Sequence, residues 1–161
     1  MTTYSIDFSC RDLPVSAGAH ALATKNTWHL RSRPVRSELA KRFLRCFELR
    51  VRSLQAQGSL PRRLEGCYEL RVLAFAPIRI HRDGEWYPRL DADACVVPVR
   101  DALESVGLIS DDVVLVDGPC ATVYRADLPG LHVRLIKVGR MRDRIAWIKA
   151  AFDGLDLPSE A

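Results

Sequence analysis

Between Pro34 and Gln57 the apolar residues Leu39, Phe43, Cys46, Phe47, Val51 and Leu54 recur at three-and-four spacing, while Lys41, Arg45 and Arg52 take the other side. A stripe of that period gathers on one side only in an α-helix, and a helix with such a stripe has to bury it. Glu38 with Arg42 and Glu48 with Arg52 are i,i+4 pairs in the favourable order, so part of the basic content supports the helix itself. Gly58 and Pro61 end the run. From 67 to 76 the period changes to two, with Tyr68, Leu70, Val72 and Ala74 alternating against Glu69, Arg71, Leu73 and Phe75. That pattern predicts a long strand, stopped by Pro77.

The rest of the chain reads in the same way. Residues 3–9 alternate Tyr4, Ile6 and Phe8 with Ser5, Asp7 and Ser9, a first strand. Residues 10–33 hold no sustained period and predict a long loop, and His81 to Leu90, with Asp83-Gly84 inside, predicts a turn or flexible loop. Val99, Ala102, Leu103 and Val106, closed by Gly107, predict a shorter helix. Residues 113–117 and 121–125 form one strand interrupted at Gly118-Pro119 by a bulge. Pro129-Gly130 then turns the chain into 131–138 as a β-hairpin, and Arg140 to Phe152 predicts a basic amphipathic helix. The expectation is an α/β (α+β) domain over residues 1–153 with a mixed four-stranded sheet in the order β-α-β-α-β-β-α. Residues 138–153 are an added C-terminal helix and 154–161 a tail.

With 161 residues, 48% hydrophobic and 27% charged, the chain holds enough apolar side chains for one core, which excludes a disordered polymer. No run approaches the roughly 18 to 20 apolar residues of a membrane span, and the first residues lack a signal-peptide layout. The expectation is therefore a cytoplasmic protein without a membrane partner. The five cysteines, Cys10, Cys46, Cys67, Cys95 and Cys120, are scattered and never in C-x-x-C spacing, so reduced thiols are expected.

Charge is segregated along the chain. From Lys25 to Arg63 there are eleven Lys and Arg against Glu38 and Glu48, whereas from Asp91 to Asp117 there are seven acids against Arg100 alone. A basic segment suits a polyanion, and acids beside a polyanion repel it unless a divalent cation stands between them. Asp91-x-Asp93 is the sharpest local feature. Alternate residues of an extended segment point the same way, so both carboxylates can face one hard cation. Asp111-Asp112 follows the Gly-capped helix, where aspartate also favours a turn. A helix of about 9 to 12 residues is roughly 14 to 18 Å long, which places Asp112 well away from Asp93 in its own subunit. Either the chain doubles back or the two meet across a dimer interface. His81 with Glu85 reads as a surface pair, and His20, His29 and His132 are isolated.

At these residues the sequence resembles the RusA-like Holliday-junction resolvases, small dimeric endonucleases often carried by phages and prophages. Asp91-Ala92-Asp93, then Asp101-Ala102-Leu103, Gly107 and Asp111-Asp112 stand at the spacing of that family's motif. Thr3-Tyr4-Ser5-Ile6 is also similar, so the likeness covers roughly residues 3–138. Ala94 and Val97 stand where the family carries asparagine and lysine, and Pro98 predicts a helix that begins a few residues late.

The resemblance implies a RusA-like nuclease fold in which Asp91, Asp93 and Asp112 are the catalytic, Mg²⁺-binding carboxylates, with Mn²⁺ as a substitute ion and Asp111 an adjacent acid. It implies a homodimer acting on branched DNA, the four-way junction, in recombination and repair in a bacterial or phage-infected cell. Arg31, Arg33, Arg36, Lys41, Arg45, Arg52 and Arg89 are the expected phosphate-gripping residues. A second reading is a family member that binds DNA without turnover, which the loss of the asparagine and lysine favours. A third is a metal-dependent hydrolase of small phosphate esters.

Overall fold

The computed structural model describes residues 2–9, 38–88, 93–127 and 129–140. Strand β1 (Thr3–Ser9) is followed by helix α1 (Glu38–Ala56), strand β2 (Cys67–Ala76), a short pair β3 (Arg79–Arg82) and β4 (Glu85–Pro88), and helix α2 (Asp93–Ser105). A 3₁₀ turn (Asp112–Val114) leads into β5 (Leu115–Tyr124) and then β6 (Gly130–Gly139). Four strands form one mixed sheet in the order β1-β6-β2-β5, with β2 and β5 parallel and the other pairs antiparallel. With two helices among the described residues, this is a single α+β domain, and no helix of these residues is long and apolar enough to cross a membrane.

The alternation read from the sequence sorts the two sheet faces. Ile6, Phe8, Leu70, Val72, Ala74, Leu131, Val133 and Leu135 are all buried and form one core with Phe43, Phe47, Val51 and Leu54 of α1 and Val99, Ala102 and Leu103 of α2. Phe8 meets Phe43 edge-on at 5.8 Å and Phe47 at 5.8 Å, so three rings fasten α1 to β1. Aromatic contacts of this kind add about 0.5–1.5 kcal/mol each beyond the area they bury. The solvated side of α1 carries Lys41, Arg42, Arg45 and Arg52, and Glu48 holds Arg52 at 2.5 Å.

Both helices end in the same hydrogen-bonded turn. At α2, the Gly107 N–H donates to the Glu104 carbonyl (2.9 Å) and the Leu108 N–H to the Leu103 carbonyl (3.0 Å), with Gly107 at φ 72°. That left-handed conformation is the one an L-residue resists and glycine accepts. Gly58 closes α1 likewise, and the two exits are tied together where the Leu64 N–H donates to the Leu108 carbonyl at 2.8 Å.

Three expectations are corrected. β5 and β6 do not form a hairpin, because β2 lies between them. The chain leaves β5 with the Arg125 N–H on the Ala76 carbonyl (2.8 Å) and crosses the end of β2, which lets β6 pair on both edges and bury Leu131, Val133 and Leu135. Residues 79–88 are not an irregular loop but a separate two-stranded ribbon, so the described order is β-α-β-β-β-α-β-β. Asp83 (φ 54°) and Gly84 (φ 84°) make its turn, both in the left-handed region that a two-residue hairpin requires. Helix α2 does not start late: it begins at Asp93 and runs through Pro98. The ring sits near enough to the helix start that one ladder bond is lost without ending the helix. The loop at 10–33 and the helix at 140–152 lie outside the described residues, apart from Arg140 itself.

The bulge at Gly118-Pro119 is present. Leu70 pairs with Asp117 and Val72 with Cys120, so two residues of β5 oppose one of β2. At Gly118 a Cβ would stand 2.6 Å from Glu69 Oε1 and 2.9 Å from the Leu70 carbonyl oxygen, so glycine lets the two strands close over the buried Glu69. Gly118→Ala is expected to lower stability in urea by about 1–3 kcal/mol through this overpacking. A midpoint equal to that of the parent would show that the bulge opens freely.

Candidate functional site

Helix α2 positions the acidic motif. Asp93 is its first residue, and Asp111 and Asp112 follow its glycine-capped end. Thirteen residues of α-helix span roughly 20 Å, so the start of α2 and the 3₁₀ turn stand at opposite ends of one crossover between parallel strands. The chain does not double back within that crossover. Asp91 and the side chain of Asp93 lie outside the described residues, as do Arg31, Arg33, Arg36 and Arg89.

The two acids at the far end have different surroundings. Asp111 takes extended backbone angles, φ −164° and ψ 148°, and its Oδ1 accepts the Val113 N–H at 2.9 Å, so it is the N-cap of the 3₁₀ turn. The turn-forming reading of that residue is therefore realised. Asp112 is exposed; its carbonyl accepts the Leu115 N–H, while its carboxylate makes no hydrogen bond or ion pair with the described residues. Among the described residues no group of three or more His, Cys, Asp and Glu gathers to hold a metal. A carboxylate set of Asp91, Asp93 and Asp112 would consist of hard oxygen donors, which suit Mg²⁺ or Mn²⁺ in kind.

Among the described residues, the arginine within the helix does not add a free cation there. The Arg100 Nη2 donates to the Asp117 carboxylate of β5, its side chain is 23% exposed, and its buried Nε has no partner. Val97, where the resembled family has lysine, is 62% exposed on α2 and serves no packing need. Cys95, one turn into the helix, is the anchor of its start in the core.

Of the expected phosphate-gripping residues, Lys41, Arg45 and Arg52 are described, and all three are exposed on α1. Regular spacing put them on one helix, and the helix keeps them in solvent because its opposite stripe is held by Phe8.

Sequence reasoning missed two features. His132, taken as isolated, is paired across the strands with Asp7, Nδ1 to Oδ1 at 2.5 Å, and both line a cavity with Arg50, Arg125, Cys46 and Leu49. Arg50 also reaches over to donate from Nε to the Asp7 carbonyl oxygen at 2.8 Å. The two residues are 125 positions apart, so only strand pairing joins them. The second missed feature is the β3–β4 ribbon, whose Asp-Gly turn was the available signal. It presents Trp86 and Tyr87, 59% and 45% exposed, just before the Asp91-x-Asp93 segment. His81 stands edge-on to Trp86, and Glu85 accepts from the Tyr87 hydroxyl at 3.1 Å, so the expected His81–Glu85 surface pair is instead divided between two aromatic partners.

Comparison with protein-family models and with curated proteins returns no match to this chain.

Burial, and then the neighbouring Cys120, pushes the Cys95 thiol up to about 12. A thiol held neutral is neither a nucleophile nor a metal ligand. Iodoacetamide at pH 8 is expected to leave Cys95 unlabelled in the native protein and to label it after unfolding, as read by peptide mass. Below the ordinary value of 9.0 the thiol is neutral in both states; above it only the unfolded chain gains by ionising, so this group's contribution to stability declines as pH rises from 9.0 towards about 12. Rapid native labelling would show that the start of α2 opens.

Proposed function

We propose that this chain is a RusA-like, Mg²⁺-dependent endonuclease that cuts branched DNA as a homodimer. The reading rests on the resemblance of the Asp91-x-Asp93 and Asp111-Asp112 segments together with one geometric observation. Asp93, at the start of α2, and Asp111-Asp112, past its end, are separated by a helix of thirteen residues, roughly 20 Å long, which favours a site completed between two protomers. A two-fold dimer then carries two such sites, which matches the two opposed cuts that a four-way junction requires.

In this mechanism Asp91 and Asp93 of one protomer and Asp112 of the other supply the oxygen ligands, and the capping hydrogen bond of Asp111 fixes the turn that presents Asp112. When bound, the metal supplies polarisation of the scissile phosphate and a water acidified for in-line attack. Lys41, Arg45 and Arg52 hold phosphates of the arms by charge, which contributes affinity without sequence choice. A second reading, a member that grips junctions without cutting them, is favoured by Val97 and by the commitment of Arg100 to Asp117.

Mixing two inactive variants tests the shared site. Asp91→Asn and Asp112→Asn are each expected to bind a labelled four-way junction and not nick it in Mg²⁺. After co-refolding, the heterodimers are expected to regain one intact site and nick one strand of a pair. No nicking from the mixture, with the parent protein active, would place each site within one protomer; a parent that binds tightly without nicks in Mg²⁺ or Mn²⁺ selects the second reading.

Arg45→Ala with Arg52→Ala is expected to weaken junction and duplex binding alike and to reduce the salt slope by about two phosphate contacts. Glu48 loses its partner in that variant, but an exposed pair of this kind contributes only about 0–1 kcal/mol, so the fold persists. An unchanged slope would take this side of α1 off the DNA.

A further inference from the structure

The β3–β4 ribbon has more exposed aromatic surface than its own stability accounts for. A two-stranded ribbon is marginal by itself. This one is steadied where the Arg79 guanidinium lies over two rings, 4.6 Å from the centre of Trp86 and 4.9 Å from that of Tyr124 on β5. Strand register puts Arg79, His81 and Trp86 on one side of the ribbon, and Ile80, Arg82, Glu85 and Tyr87 on the other. Trp86 remains 59% exposed, Tyr87 45% and Tyr124 40%. Neither Arg79 nor Arg82 has a carboxylate partner among the described residues.

The planar guanidinium carries its N–H donors in its own plane, so contact with a ring leaves donors for an anion. Trp86 beside it stays 59% exposed, with His81 edge-on at 5.0 Å. A flat π surface next to an uncommitted cation complements a base joined to a phosphate, and an unpaired base is the form in which that π face can be reached. The ribbon also leads directly into the Asp91-x-Asp93 segment, with two residues between Pro88 and Asp91.

We propose that this ribbon is a stacking arm for unpaired nucleotides: Trp86 takes a base, Arg79 the adjoining phosphate, and Tyr124 braces the arginine from the sheet. The inference rests on the DNA-binding reading above and deepens it, since it states how the chain tells a branch point or single strand from continuous duplex.

The test compares the full-length protein with Trp86→Ala and Trp86→Phe on three probes: a four-way junction, oligo(dT) and a linear duplex of matched length. Trp86→Ala is expected to lose roughly 5- to 100-fold in affinity for oligo(dT) and the junction, with duplex affinity within about twofold of the parent and an unchanged melting temperature. Trp86→Phe, which keeps a ring, is expected to recover most of the loss. A Trp86→Ala protein that binds oligo(dT) and junction like the parent overturns the arm while leaving the DNA-binding reading intact. A variant that changes the oligomeric state in solution overturns it in favour of a subunit contact, and one that loses duplex affinity equally overturns it in favour of general DNA contact. A parent protein that binds none of the three probes overturns both readings.

Discussion

The parallel pairing of β2 with β5 is the constraint on which the rest of the structure depends. Parallel neighbours cannot be joined by a tight turn, so the chain has to travel back along the sheet between them, and α2 makes that journey. The starts of the two strands are registered by the exits of the two helices, where the Leu64 N–H meets the Leu108 carbonyl. Within that crossover the helix separates Asp93, at its start, from Asp111-Asp112, just past its glycine-capped end.

β2, between β6 and β5, is organised by the same arrangement. β2 is paired on both edges, by β5 and by β6, and is buried along most of its length. It accepts one acid, Glu69, whose Oε1 takes the Arg71 Nε–H at 2.5 Å. Directly over that side chain β5 bulges, and Gly118 provides the clearance. A buried carboxylate needs a partner, and the bulge lets the sheet close around this one without breaking its hydrogen bond.

Functional polarity follows from packing. The aromatic contact of Phe8 with Phe43 and Phe47 turns the basic side of α1 to solvent, and β3–β4 projects exposed rings immediately ahead of the D-x-D segment. Arg100, the cation within α2, is drawn inward to Asp117. The outcome is a domain in which exposed cations, aromatic rings and acids are presented on different elements.

Period alone determined β1, β2 and α1, because two-residue and three-to-four-residue repeats of apolar side chains report a buried face wherever the element ends up. The glycine caps were equally legible, since Gly58 and Gly107 meet local backbone needs; the Gly118-Pro119 interruption was legible too, but the clearance over Glu69 that requires glycine there was not. The place of β6 was not legible. Pro129-Gly130 is compatible with a hairpin, and only the burial available between β1 and β2 sends the strand past its sequence neighbour. The ribbon escaped because its strands are four residues long and mostly exposed, leaving no apolar alternation to read. The separation of Asp112 from the start of α2 was legible from helix length, whereas the pairing of His132 with Asp7 was decided by tertiary structure. Contacts between residues distant in sequence are set by strand order and helix direction, and those depend on which surfaces must be buried together.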